Sequence, residues 1–193
     1  MLKKIFPFLL VMPTFVMAQS YVVYDFTHNK VLESGTPNKV RPIASVTKLM
    51  TANVFLEYNK NPRCMASITN EDYDYIKGTH TKLPKYTPIA CRELLKAMLV
   101  HSDNYAAHAL SRSAGMTRQQ FIKKMNEKAK HLGMRSTRFS DSSGLSNSNV
   151  SSAMDLVKLA KYSLAKPEIK ALSNLSTAYI QAGKRNIFVK NTN

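Results

Sequence analysis

Residues 21–26 (Tyr-Val-Val-Tyr-Asp-Phe) are β-branched and aromatic, a run that predicts a strand. Asn29-Lys30 supplies a turn, and residues 30–34 return as its partner in an opening hairpin. After Pro42 the pattern changes to a helix from about Ser45 to Tyr58. Its apolar positions Leu49, Ala52, Val54, Phe55 and Leu56 leave little polar face, so this helix is expected to be largely buried. Residues 59–90 carry Pro62, Pro84 and Pro88 among many polar residues and read as irregular structure with short elements.

Four helical segments follow. Residues 92–100 are amphipathic and are interrupted at 101–103, and a second helix over 105–114 stops at Gly115. Thr117 with Gln120 makes a capping box for the third, which ends at Gly133. Ser152 with Asp155 repeats that signature for a helix over 153–165, before Pro167. Asp141-Ser-Ser-Gly144 has strong turn chemistry and reads as a loop. No repeat or flexible linker divides the chain, so strands first and helices after make one α+β domain.

The first residues change where that domain is expected to work. Lys3 and Lys4 precede an almost unbroken apolar run over 5–16, and Val16-Met17-Ala18 offers a cleavage site before Gln19. That is the layout of a secretory signal peptide over residues 1–18. The run is shorter than the roughly 20 residues a membrane span needs and contains Pro7 and Pro13, so no transmembrane anchor is expected after cleavage. The chain carries 28 basic against 12 acidic residues, a net charge of +16. An exported protein of that balance is drawn to anionic envelope polymers or headgroups. Export and the lack of any nucleic-acid motif argue against nucleic acid as a partner. The basic residues are scattered, which fits a solvated surface as well as a dedicated anion site.

Cys64 and Cys91 form an even pair, and an oxidising compartment favours a disulfide between them over two unpaired core thiols. Neither lies in a C-x-x-C or in metal-ligand spacing with a His, so no metal site is expected.

Candidate chemistry begins with Ser45-Val-Thr-Lys48. A Ser and a Lys three apart share one face of a helix. A desolvated amine there can act as base for attack by the hydroxyl on a carbonyl. The pattern alone does not discriminate, because Ser163-Leu-Ala-Lys166 matches it too, on what reads as the solvated end of a helix. Ser102-Asp103-Asn104 falls in the break between two helices, far enough beyond Lys48 to fold back on to the first helix. A second hydroxyl at Ser102 could relay a proton to a leaving group. The Asn104 amide, both donor and acceptor, could bond a lysine amine and a substrate carbonyl. Taken singly, the same tripeptide reads as a helix N-cap.

Together, Ser45-x-x-Lys48, Ser102-x-Asn104 and a signal peptide resemble the penicillin-recognising serine enzymes, whose motifs are S-x-x-K, S-x-N and K-T-G. The likeness extends to the flanks. Residues 40–52 (Val-Arg-Pro-Ile-Ala-Ser-Val-Thr-Lys-Leu-Met-Thr-Ala), 121–134 and 137–145 are similar to the low-molecular-mass D-alanyl-D-alanine carboxypeptidases and endopeptidases. So are Asn149-Val-Ser and Asp155-Leu, and within the family the chain is most similar to the penicillin-binding protein 7 type endopeptidase. The resemblance covers the whole mature chain and implies the β-lactamase/penicillin-binding transpeptidase-like fold. It implies Ser45 as acylated nucleophile, Lys48 as its base, Ser102 in proton transfer, and Asn104 in substrate binding. The Ser45 backbone N–H would be one oxyanion donor. Peptidoglycan stem peptides would be the substrate in the periplasm, β-lactams would be covalent inhibitors, and neither metal nor organic cofactor is implied.

Two departures narrow this expectation. A class A β-lactamase needs a glutamate after the second motif for its deacylating water, and none occurs between Glu127 and Glu168. No Lys-Thr-Gly occurs anywhere in the 193 residues. In the family that motif lies on a strand supplying the second oxyanion donor and the clamp for the substrate carboxylate. The expectation is therefore an incomplete catalytic domain over 19–193: a helical subdomain plus an N-terminal hairpin, with the later strands of the antiparallel sheet missing. Its acyl-transfer activity would be impaired, the alternative being an inactive peptidoglycan-binding remnant.

Overall fold

The computed structural model describes residues 19–192, so the signal peptide expected over 1–18 lies outside the described residues. The opening hairpin forms as expected. β1 (Tyr21–Asp25) pairs antiparallel with β2 (Lys30–Gly35), with an irregularity between Val23 and Tyr24. A two-stranded ribbon is marginal alone, and β1 packs against a late helix, α5 (Ala153–Leu164).

Four short strands follow as clasps. β3 (Arg41–Pro42) pairs with β6 (Val150–Ser151), joining the segment before the Ser45 helix to the one after the Asp141 loop. β4 (Met65–Ala66) pairs with β5 (Ile89–Ala90), closing the irregular segment at its base. Cys64 and Cys91 are bridged beside that clasp, with Cα atoms 5.4 Å apart, so the segment between them is pinned at both ends.

The central element is α1 (Thr47–Tyr58), where Met50, Ala52, Val54 and Phe55 are all buried. Having no polar face, it has no outward side, and it is wrapped by α2 (Cys91–His101), α3 (Asn104–Ser113), α4 (Arg118–His131) and α5. Two of the polar residues it buries are bonded across the core: Thr51 donates to the Ser142 carbonyl at 2.6 Å, and the Asn53 amide N–H to Ser163 Oγ at 2.7 Å. The capping box at Thr117 and Gln120 is present with both its bonds. At α5 only half of the expected box forms. Ser152 accepts from the Asp155 N–H, but the Asp155 carboxylate turns away to bond Ser136 and Thr137.

The C-terminal part corrects the expected sheet. After α6 (Pro167–Ser173), β7 (Thr177–Ala182) and β8 (Arg185–Lys190) form a second antiparallel hairpin that lies along α2. Ile180, Ala182 and Val189 alternate into the core. Glu93 and Lys96 of α2 bond the Gln181 N–H and the Tyr179 carbonyl at 2.9 and 3.0 Å. The opening hairpin is thus not the main remnant of strand structure.

Candidate active site

Ser45 lies in a single 3-10 turn, Ala44–Val46, that runs directly into α1. Ala44 just before it has φ +45, a left-handed backbone that costs a non-glycine residue about 1–2 kcal/mol. What holds it there is Gly144. Its own φ is +87, and a Cβ at that position would stand 1.9 Å from the Ala44 carbonyl oxygen. The bare glycine lets the loop press flat against the turn carrying Ser45, which is left exposed at the end of a buried helix.

Lys48 is one turn on and almost wholly buried, 3% exposed. Its Nζ donates to Ser45 Oγ at 3.2 Å, Asn104 Oδ1 at 2.7 Å and the Ser143 carbonyl at 2.7 Å. Three acceptors match the three protons of an ammonium. When one proton leaves, only the Ser45 contact can reverse, because its hydroxyl can donate to the amine lone pair. Burial depresses this lysine to about 8; Asp103 and Asp141 pull it back up and Lys77 pushes it down. A base that ionises near the working pH is available as free amine in a useful fraction.

Asn104 reaches Lys48 because the chain reverses between α2 and α3. Ser102 adopts a left-handed backbone, φ +57, as the C-cap of α2. Asp103 caps α3, accepting from the Ala106 N–H at 2.9 Å and from Thr81 Oγ1 at 2.5 Å. Burial raises the Asp103 carboxyl, opposed by those two bonds. Within Ser102-Asp103-Asn104 the cap is Asp103, while Asn104 is the residue that meets Lys48. Ser102 lines a cavity of about 430 Å³ together with Ser45, Lys48, Met98 and Leu164.

The floor of the site is residues 141–149. Burial pushes Asp141 up, but N–H bonds from Ser146, Gly144 and Ser143 and the Asn149 amide outweigh it and hold its carboxyl below the usual range. That folds the loop so that successive carbonyls, of Ser142 and Ser143, meet Thr51 and Lys48 of α1. His108 contacts Ser142 Oγ from α3; burial, helped by Arg118, lowers it to about 4, so it is neutral at pH 7.

Of the residues expected from sequence, Ser45, Lys48 and Asn104 meet through hydrogen bonds, and Ser102 lines a cavity with Ser45 and Lys48. The second pattern is placed otherwise than expected. Ser163 is fully buried rather than on a solvated helix end, and it faces Asn53. Sequence reasoning missed the Ser143 carbonyl, Gly144, and the Asp74–Thr79 segment beside Asn104. The Asp141-Ser-Ser-Gly144 turn signal was visible, but not the carbonyl it delivers. Among the described residues no group of His, Cys, Asp and Glu could hold a metal ion, and no helix is long and apolar enough to cross a membrane.

The model of peptidase family S11, described as D-alanyl-D-alanine carboxypeptidase, matches residues 10–193, and the chain belongs to that family. The chain is 72% identical over 193 residues to a D-alanyl-D-alanine endopeptidase of Haemophilus influenzae, covering all of this chain and 66% of that one. It is 38% identical over 158 residues to the D-alanyl-D-alanine endopeptidase of Escherichia coli, covering 82% of this chain and 51% of that protein. It thus spans between half and two thirds of these relatives. Among solved structures, the Streptomyces K15 DD-transpeptidase superposes with a TM-score of 0.81 at 26% identity, over 91% of this chain and 73% of the other. The α+β penicillin-binding fold expected from sequence is the fold observed.

Proposed function

We propose that this chain is the serine acyl-transfer domain, residues 19–193, of a D-alanyl-D-alanine endopeptidase or carboxypeptidase that is exported by a signal peptide over 1–18. Its substrate is the D-alanyl end or cross-link of peptidoglycan stem peptides in the periplasm. The observation that carries this reading is Lys48 Nζ held between Ser45 Oγ at 3.2 Å and Asn104 Oδ1 at 2.7 Å, with the lysine depressed to about 8. The free amine takes the Ser45 proton as Oγ bonds the scissile carbonyl carbon. The C–N bond breaks, the leaving amine takes a proton by way of Ser102, and water then hydrolyses the ester. Asn104 offers its amide to the substrate backbone. β-Lactams would acylate Ser45 by the same first step.

Incubation with a fluorescent penicillin tests this. Covalent label on the wild type, absent from Ser45→Ala and Lys48→Ala, is expected. Muropeptide binding that is equal in all three proteins, with no label on any, would replace the enzyme by a peptidoglycan-binding protein without chemistry.

A further inference from the structure

An asparagine amide has two ends of similar shape and opposite polarity, and only the oxygen can accept from a lysine ammonium. Something must decide which end of Asn104 faces Lys48. The answer lies in the irregular segment between the two cysteines. Asn104 Nδ2 donates to Thr79 Oγ1 at 3.0 Å, and Thr79 Oγ1 donates to Asp74 Oδ2 at 2.5 Å.

Asp74 is itself fixed as an acceptor. It is buried, 1% exposed, and takes N–H bonds from Ile76, Lys77 and Thr79 at 2.9, 2.8 and 3.0 Å. Burial pushes its carboxyl up, but the Lys77 N–H, the Thr79 hydroxyl and N–H, and the Ile76 N–H hold it down at about 2. An ionised carboxylate has no proton to give, so the Thr79 hydroxyl must spend its single proton on Asp74. Its oxygen then faces Asn104 as an acceptor only, and the amide must present NH₂ to Thr79 and oxygen to Lys48. Turned over, the amide would set oxygen against oxygen at Thr79 and an N–H against the ammonium. Thr79 cannot drift out of register, because its carbonyl accepts from Tyr105 of α3 at 2.9 Å.

We propose that Asp74 and Thr79 are positioning residues, which through the one-way chain Asn104 to Thr79 to Asp74 fix the Asn104 amide with its oxygen on Lys48. The charged groups that bear on Lys48 from the surrounding elements are Asp103, Asp141 and Lys77, and substitution of Thr79 changes the charge of none. The catalytic consequence rests on the function proposed above; the orientation of the amide does not.

The test uses the full chain as Thr79→Val, Thr79→Ala and Thr79→Ser. It reads the Lys48 midpoint by carbon NMR of its Cε, assigned by loss of that signal in Lys48→Arg, and the rate of fluorescent-penicillin labelling. With the hydroxyl gone, Asn104 is free to turn and the ammonium loses an acceptor. The Lys48 midpoint should then fall below that of the wild type in Val and Ala. Labelling should slow roughly tenfold from the misplaced amide, even at a pH where Lys48 is a free amine in every variant. Thr79→Ser, which keeps the hydroxyl, should retain both values. Wild-type values in Val and Ala would overturn the proposal, as would a loss in Ser equal to that in Val. If the wild type takes no label while the midpoint still falls in Val and Ala, the acyl-transfer reading fails and the positioning role stands. Should the valine methyl prevent folding, Thr79→Ala carries the same comparison without it.

Discussion

The chain holds two Ser-x-x-Lys pairs with opposite fates, and both serines border the same cavity. Ser45 is exposed on the turn that leads into α1, and its lysine points inward, buried, against the hydroxyl. Ser163 is buried near the far end of α5, where its hydroxyl donates back to the Leu159 carbonyl at 2.7 Å and accepts from Asn53. Its lysine leaves the helix altogether: Lys166 is the N-cap residue of α6, 3.4 Å from Glu57 and over the Tyr162 ring at 4.9 Å. A hydroxyl that already gives its proton to a carbonyl is not a nucleophile, and a lysine paired with a carboxylate at a half-exposed surface is not a base. The difference is not in the four residues but in helix polarity and in what desolvates the amine.

The widest separation should come from exchanging the serines. Ser45→Ala should abolish penicillin labelling, a loss of at least roughly a thousandfold, with the thermal midpoint hardly moved. Ser163→Ala should keep the labelling but leave the buried Asn53 amide short of a partner, costing about 1–3 kcal/mol in denaturant unfolding. If labelling were lost in Ser163→Ala alone, the comparison would be inverted.

Next in size is Gly144→Ala. It asks a side chain to occupy the place of the Ala44 carbonyl and to hold a left-handed backbone. A loss of about 3 kcal/mol or more in stability is expected together with slower labelling, checked by urea denaturation. A wild-type unfolding midpoint would show that the loop does not bear on the turn of Ser45.

The third prediction concerns pH. Lys48 ionises near 8 in the folded chain against an ordinary value of 10.5. With the free amine as the proposed base, labelling should rise about tenfold per pH unit below 8 and level off above it. The stability effect has the same sign. The buried ammonium disfavours the folded state at every pH below about 8, and this penalty disappears as pH climbs from 8 towards 10.5. Stability measured at fixed ionic strength should therefore gain from this residue over that window. A labelling profile that is flat between pH 6 and 9 would contradict it. The smallest effect belongs to the other lysine: Lys166→Met should cost at most about 1 kcal/mol in unfolding, as a partly exposed pair does, and should leave labelling unchanged.

Much of the fold was legible because it is locally encoded. The opening hairpin, the capping box at Thr117 and the four central helices each depend on neighbours a few residues away. The second hairpin was legible in principle: residues 177–182 and 185–190 alternate about Gly183, which has φ +59 as such a turn needs. Residues 59–90 read as irregular and are irregular, yet they supply Asp74 and Thr79. A threonine in a loop carries no mark of what it will face.

The sequence by itself determined the three residues that meet at the site. The spacing of Ser45 and Lys48 is a helical step, and the flanks of both motifs single them out from the copy at Ser163. It also determined that the helix from about Ser45 to Tyr58 would be largely buried. Tertiary structure alone decided that Lys48 can be a base and which way Asn104 faces. Those properties arise from desolvation and from directional hydrogen bonds made by partners 56 and 95 residues away along the chain. No local pattern of residues can state how much water a folded neighbour will exclude, or which end of an amide it will accept.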